Sequence, residues 1–307
     1  MQIKSRFYKS LPSGELVETS SILGELIAPG AFDKSGVRQN IEGELFLINY
    51  SQLAFIKKVS IDTLYALNNT NELGKNNILM VGLYGNNLTQ TFDRYWDSSQ
   101  IGYWMPRAVD RKTTATTLSS LGFQMLPAQL ATYAISQGCS IIHFGGGEPS
   151  VYADYLLDLH NLIQAKQLPL KIGLTTNGTI DAEFIKSIST SLHKLVINLN
   201  SQSDEFYIKH YKYSLHKLLP GIKNLLTQKI DVEFSSEFIP GENDALVSVR
   251  KLAELIFELV GENAIWQLHR FTPTFRILDK PQTSEAILEY AIKVANELGF
   301  KQAKLLE

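Results

Sequence analysis

The stretch Cys139-Ser140-Ile141-Ile142-His143-Phe144-Gly145-Gly146-Gly147-Glu148-Pro149 decides the fold. A short apolar run, CSIIHF, leads into three glycines, a carboxylate and a proline. That pattern predicts a buried strand, a tight turn and the first turn of a helix. Successive glycines let backbone approach a ligand closely. The GxGxxG spacing is absent, so the turn is not a dinucleotide fingerprint.

The same alternation extends outward in both directions. Upstream, Ile78–Leu83 reads as a buried strand ending at Tyr84-Gly85, and Leu126–Gln137 as a helix stopped by Gly138. Downstream come helix Val151–Ala165, strand Lys171–Thr175, the turn Asn177-Gly178 and helix Ala182–Ser189 capped by Asp181. Strand Lys194–Asn198, helix Ser214–Gln228 and strand Val232–Ile239 follow. Pro240-Gly241 breaks the chain before helix Asp244–Val260, strand Ile265–Phe271, helix Ser284–Leu298 and a last strand, Gln302–Leu306. About six strand–helix units with short connections predict an α/β fold with a parallel sheet buried on both faces. Right-handed crossovers make it an open doubly wound sheet or a closed or partial barrel. In both, the loops at the carboxyl ends of the strands build the site. Residues 1–77 differ: turn signals (Pro12-Ser13-Gly14, Pro29-Gly30, Asn68-Asn69) surround one short strand within Glu44–Ile48. They are expected to form a small irregular appendage, with residues 78–307 as the main domain. The segment Thr91–Thr117, rich in aromatic residues, is long for a connection of this kind.

Composition narrows the function classes. A formal charge of −2 leaves no electrostatic footprint for nucleic acid or an anionic membrane. No apolar run approaches the roughly 20 residues of a membrane span, and no apolar segment follows the charged Met1–Ser10, so no secretory leader is expected. A cytoplasmic location is expected. A single cysteine, Cys139, excludes an internal disulfide framework or a cysteine-rich metal site within the chain, and no metal site is expected.

An ordered series of strings resembles one branch of the radical S-adenosylmethionine superfamily, the AmmeMemoRadiSam and pyruvate formate-lyase-activating-like proteins. Gly146-Gly147-Glu148-Pro149 resembles the motif that holds the methionyl amino group. Gly36-Val37-Arg38-Gln39-Asn40 resembles GVRxN, Thr176-Asn177-Gly178 the TNG turn, and Ser203-Asp204-Glu205-Phe206-Tyr207 the SDEFY segment. Ile239-Pro240-Gly241-Glu242-Asn243-Asp244 is similar to IPGxND, and Trp266–Pro273 (WQLHRFTP) to WHxxRFxP. The resemblance implies a partial (β/α)6 TIM-like barrel that binds S-adenosylmethionine. On it, Gly145, Gly146, Gly147 and Glu148 take the amino group, while Thr175, Asn177, Ser235, Ile239 and Pro240 shape the rest of the cofactor site.

The departures from that pattern carry equal weight. The family's CxxxCxxC loop follows the first strand; laid on it, the three thiolate positions are Asn86, Gln90 and Asp93. Amides and a carboxylate are poor substitutes for the soft thiolates that hold a [4Fe–4S] cluster, so no iron–sulfur cluster is expected. The family's DLK reads Asn198-Leu199-Asn200, and the histidine of WHxxRF is Gln267. These five amides, with Asp93, mark the vacated cluster space or a substrate pocket. Asp93, Glu237 and His269 are the candidate catalytic groups. His143 is a further titratable side chain near a strand end, whereas His160, His193, His210 and His216 read as helix or surface residues. Three functions stay open, the third keeping the fold but taking another amino acid or a nucleotide as its ligand. One is a cluster-less protein using S-adenosylmethionine on a small-molecule substrate in polar chemistry, such as alkyl transfer or sulfonium cleavage or cyclisation. Another is an inactive pseudoenzyme that binds a protein of its pathway, with the aromatic residues Tyr95, Trp96, Tyr103 and Trp104 as its anchor.

Overall fold

The computed structural model describes residues 8–11, 16–17, 45–46, 54–62, 77–100 and 123–306. The GVRQN string, the turn signals of the first 77 residues, and Tyr103 and Trp104 lie outside the described residues. The chain divides into two compact units: Met1–Thr89, Tyr95–Thr175 and Glu183–His193 form the first, and Gln90–Arg94, Thr176–Ala182 and Lys194–Glu307 the second.

In the first unit, strands β1 (Tyr8–Leu11), β2 (Leu16–Val17) and β3 (Leu45–Phe46) make a small antiparallel sheet in the order β2-β1-β3. The main ladder runs β8-β7-β5-β4-β6, where β4 is Ala54–Asp62, β5 Asn77–Leu83, β6 Phe123–Met125, β7 Cys139–Gly145 and β8 Lys171–Thr176. Strands β5, β7 and β8 are parallel. Strand β4, from the amino-terminal 77 residues, pairs antiparallel with β5 and with β6. The connecting helices are α1 (Trp96–Ser99), α2 (Pro127–Ser136), α3 (Ala153–Ala165) and α4 (Ala182–Ile188). Ile78, Leu79, Leu83, Ile142, Phe144, Ile172 and Leu174 are wholly buried, together with Leu156 and Leu159 of α3. The near-continuous apolar strands therefore form the core.

His143 is the polar exception within β7. It faces Gly173 of β8 across the parallel ladder. A Cβ at Gly173 would lie 2.3 Å from His143 Nδ1, so the glycine makes room for the imidazole. His143 Nε2 is 2.8 Å from Thr175 Oγ1 two residues further along β8.

The second unit contains four parallel strands in the order β9-β10-β11-β12: Leu192–Asn198, Val232–Phe238, Ile265–Arg270 and Gln302–Leu306. Its helices are α5 (Asp204–Tyr211), α6 (Leu215–Leu226), α7 (Leu246–Val260) and α8 (Glu285–Leu298). The SDEFY string is the start of α5: Ser203 accepts a hydrogen bond from Phe206 N, and Asp204 and Glu205 occupy the positive first turn. Because side chains alternate along a strand, Leu195, Ile197, Phe234, Phe238, Trp266 and Leu268 share one buried face. There the Phe238 and Trp266 rings meet edge to face at 6.0 Å, and Trp266 packs on Phe300.

The opposite face is polar. It carries Lys194 and Asn198 of β9, Glu233, Ser235 and Glu237 of β10, and Gln267 and His269 of β11. Near the amino ends, Lys194 Nζ lies 2.5 Å from Glu233 Oε1, and Gln267 donates to the other carboxylate oxygen of Glu233. This deeper row satisfies itself; the carboxyl-end row of Asn198, Ser235, Glu237 and His269 stands beyond it.

Candidate functional site

In the first unit the GGGEP turn is built against the loop that follows β5. Gly146 has φ +77°, a conformation L side chains rarely adopt, and a Cβ on Gly147 would come within 2.5 Å of Gly85 O and 2.8 Å of Leu83 O. Two glycines of the three thus have backbone reasons to be glycine. Glu148 N donates to Gly85 O at 2.9 Å, and the Glu148 carboxylate accepts from Ser150 N at 3.0 Å, capping the 3-10 turn Pro149–Tyr152. Tyr152 donates to Tyr84 O at 2.8 Å. On the other side, Asn86 Oδ1 accepts from Leu88 N at 2.9 Å, Gln100 Nε2 donates to Leu88 O, and Gly85 N donates to Ser98 O. The loop and the GGGEP turn brace each other. Just beyond, Tyr95 and Trp96 are exposed, at 53% and 36%.

In the second unit the segment Gln90–Arg94 lies against α5 and the ends of β10 and β11. Thr91 Oγ1 is 2.6 Å from His210 Nδ1, Thr91 N donates to His210 O, and Arg276 N donates to Thr91 O. The Phe92 ring is 5.7–5.9 Å from the rings of Phe206, His210 and Tyr211. Arg94 Nη2 donates to Arg270 O at 3.0 Å and to Glu237 Oε1 at 3.4 Å. Asp93, buried at 4% exposure, faces the same group of residues.

Burial pushes the Glu237 carboxyl up to about 7; Arg94 opposes the shift and the nearby Asp93 adds to it. His269, paired in register with Glu237, is pushed down to about 4 by burial and by Arg94. A carboxyl poised near neutrality beside an uncharged imidazole is a set of groups able to give and accept protons at ordinary pH. Asn200 fixes the geometry: its Nδ2 donates to Tyr211 Oη at 2.6 Å and its Oδ1 accepts from Glu237 N at 2.7 Å. Asn243 of the IPGEND turn donates to Asn200 O and Glu237 O and accepts from Ile239 N. Burial raises both Tyr207 and Tyr211, whose stacked rings lie 4.8 Å apart.

Of the residues singled out from sequence, Asp93, Glu237 and His269 are gathered at these strand ends, with Asn198 and Ser235 on the same face. Asn200 is committed to Tyr211 and Glu237, and Gln267 to Glu233. The Asn177 carboxamide accepts from Thr179 N at 3.0 Å and shapes its own turn, while Gln90 O accepts from Asp93 N. Arg94, His210 and Tyr211 had no motif to announce them. His160 and His210, read from sequence as helix or surface residues, are both buried: His160 Nδ1 meets Ser191 Oγ at 2.9 Å, and His210 Nε2 faces Glu242 Oε2 at 3.3 Å. The i, i+4 spacing of Tyr207 and Tyr211 on an apolar helix face was the available signal for the tyrosines. No group of three or more histidine, cysteine, aspartate or glutamate side chains is placed to hold a metal among the described residues. Nor, among them, is any helix long and apolar enough to cross a membrane.

Parallel strands joined by helices, with polar residues collected at their carboxyl ends, define an α/β protein of the partial-barrel class. The family model of the radical SAM superfamily matches residues 120–253 of the chain. The fold is shared with a radical SAM methyltransferase from Sphaerobacter thermophilus: TM-score 0.55, 14% identity, covering 86% of this chain and 72% of that one. A domain of pyruvate-formate lyase-activating enzyme from Bacteroides vulgatus also aligns, with TM-score 0.46 and 17% identity over 54% of this chain and 98% of that one. In sequence, the chain is 24% identical over 178 residues to the uncharacterized protein MJ0808 of Methanocaldococcus jannaschii. That alignment takes in 58% of this chain, and the chain spans about half the length (52%) of that curated relative.

Proposed function

We propose that this chain binds S-adenosylmethionine and turns it to polar rather than radical chemistry, in the cytoplasm. The observation that carries the reading is the donor chemistry of the loop after β5. Three thiolates are needed to hold a [4Fe–4S] cluster from one chain, and the corresponding positions are Asn86, Gln90 and Asp93. Asn86 already commits its carbonyl oxygen to Leu88 N, and Cys139 is buried at the start of β7. These residues do not fit a cluster, and no step is drawn through one.

The residues do fit the nucleotide cofactor. The Gly145–Glu148 strand end, with Gly146 turned to φ +77° and Gly145 clear of all but ordinary contact with Thr175, offers backbone oxygens to an ammonium group. When bound, S-adenosylmethionine supplies an electrophilic sulfonium. The chain's own part is alignment and proton handling. Glu237 holds or accepts a proton at its carboxylate, Asp93 biases it toward the protonated form, and neutral His269 stands beside it as an acceptor or donor.

Isothermal calorimetry with S-adenosylmethionine tests the cofactor reading; no binding at millimolar ligand sinks it. Anaerobic reconstitution with iron and sulfide tests the polar-chemistry reading, and the broad visible absorbance of a bound cluster would overturn it. A second reading, that of an inactive binding module, draws on the exposed rings of Tyr95 and Trp96. Under it, a stoichiometric protein partner co-purifies and S-adenosylmethionine is not consumed.

A further inference from the structure

We propose that Arg94 is the receptor for an anionic group of the bound substrate, a carboxylate or another oxyanion, and that its capture frees Glu237 to take up a proton. The inference rests on the acid–base reading of Glu237 above but not on the identity of the cofactor.

Arg94 is held as a receptor is held. Its side chain is 44% exposed. A single nitrogen, Nη2, makes both of its hydrogen bonds, to Arg270 O at 3.0 Å and to Glu237 Oε1 at 3.4 Å. Among the described residues the Nε and Nη1 donors have no partner, and each shares an edge of the guanidinium with Nη2, so an anion that takes the place of Glu237 at Nη2 meets a two-pronged edge. Such an edge matches two oxygens of a planar or tetrahedral anion, with the donors already in a fixed fork. The contact with Glu237 is long and made through one oxygen, whereas a committed arginine–carboxylate pair is short and two-pronged. The stronger bond, to Arg270 O, does not involve Glu237 and keeps the guanidinium in position when the carboxylate is released.

The surroundings point the same way. Beside Arg94, His269 and the second carboxylate oxygen of Glu237 also have no hydrogen-bond partner among the described residues. Asn198 and Ser235, register neighbours on the same polar face, likewise leave amide and hydroxyl unused among the described residues. The deeper Lys194–Glu233–Gln267 row is satisfied within itself. Hydrogen-bonding capacity is therefore left open at the carboxyl ends of β9, β10 and β11 and closed beneath them. Buried or half-buried polar groups without partners are costly in a finished structure and are explained when a ligand completes them.

The charges facing Glu237 are Arg94, Asp93 and Tyr211, with His269 across the ladder. Of these, only Arg94 favours the carboxylate. When a substrate anion claims the guanidinium, Glu237 is left largely buried beside Asp93 without a counter-ion, and at pH values between its free and anion-bound midpoints it takes up a proton from solvent. The balance is one anion and one proton bound, with no bond made or broken in the protein. Glu237 then becomes an acid when a substrate is present to receive its proton.

The test is carboxyl carbon NMR of the full chain labelled with 13C-glutamate, with Glu237 assigned through Glu237→Gln. The Glu237 titration is followed in sodium acetate or sodium sulfate against sodium chloride at equal ionic strength. The expected midpoint lies near 7 in chloride and rises by about one pH unit at saturating acetate or sulfate. Anion affinity falls by about tenfold in all as pH rises through the chloride midpoint and the midpoint of the anion-bound form. In Arg94→Gln the midpoint is already high in chloride and does not respond; in Arg94→Lys, which keeps the charge without the fork, it starts near the wild-type value and responds weakly. Equal midpoints in acetate, sulfate and chloride, or a wild-type response in Arg94→Gln, would overturn the proposal. S-adenosylmethionine and 5′-methylthioadenosine, which lacks the carboxylate, serve as further arms. A shift with the first alone assigns the anion to the methionyl carboxylate, and no shift with either assigns it to the second substrate. Failure of S-adenosylmethionine to bind leaves the acetate and sulfate arms intact, so the two readings fail separately.

Discussion

Replacing Asn200 by alanine should unfasten the carboxyl ends of β9 and β10 together. The side chain donates to Tyr211 Oη at 2.6 Å and accepts from Glu237 N at 2.7 Å, and Asn200 is 4% exposed. The substitution leaves a buried phenol oxygen and a part-buried amide without this partner. Each lost partner costs about 1–3 kcal/mol, so the two together cost about 2–6 kcal/mol. Near the size of these units a kilocalorie lowers Tm by about 2–4 °C, which sets the expected drop at roughly 4 °C or more. Asn243→Ala removes three bonds, to Ile239 N, Asn200 O and Glu237 O, and serves as the partner in a double-mutant cycle. Both residues fix the same turn, so the double variant should lose less than the sum of the singles. The assay is thermal unfolding followed by circular dichroism, with tyrosine absorbance reporting Tyr211. A drop below about 1 °C for Asn200→Ala, or strict additivity with Asn243→Ala, would refute the assignment of Asn200 as the fastener.

Three further outcomes are expected. Gly173→Ala places a methyl 2.3 Å from His143 Nδ1 and should cost about 1–3 kcal/mol in thermal unfolding, with His143→Ala in the same chain restoring most of it. Glu237 has a folded pKa of about 7 against an ordinary 4.5, so the folded state holds the proton more tightly. Stability should therefore decline as pH rises through that window, by roughly 3 kcal/mol, and urea midpoints of Glu237→Gln should lack the decline. Lys194→Met removes the ammonium partner of the buried Glu233 carboxylate and should cost about 3–5 kcal/mol, while pairing it with Glu233→Leu should recover much of the loss. The comparison of single and double variants by thermal unfolding checks it.

Asp93, Glu237 and His269 were legible as candidates because each sits at a strand end in a series of ordered strings. The alternation Phe234-Ser235-Ser236-Glu237-Phe238 showed that two faces exist, but not which of them the helices cover. Packing of Phe238 on Trp266, and of Trp266 on Phe300, settles that. Arg94 and His210 were invisible for a different reason. Their importance lies in partners 119–176 positions away, His210 to Thr91 and Arg94 to Glu237 and Arg270, and no local pattern encodes such distances.

By itself the sequence determined the order of strands and helices, the glycine turn at Gly146-Gly147, and the absence of thiolates at Asn86, Gln90 and Asp93. These are local properties of periodicity, backbone freedom and side-chain chemistry. Only the tertiary structure decided that Gly147 is glycine because Gly85 O and Leu83 O lie against it, and that Gly173 is glycine because His143 does. It alone decided that the Glu237 carboxyl sits near neutrality, because that shift comes from burial and from Arg94 and Asp93, brought to it through folding.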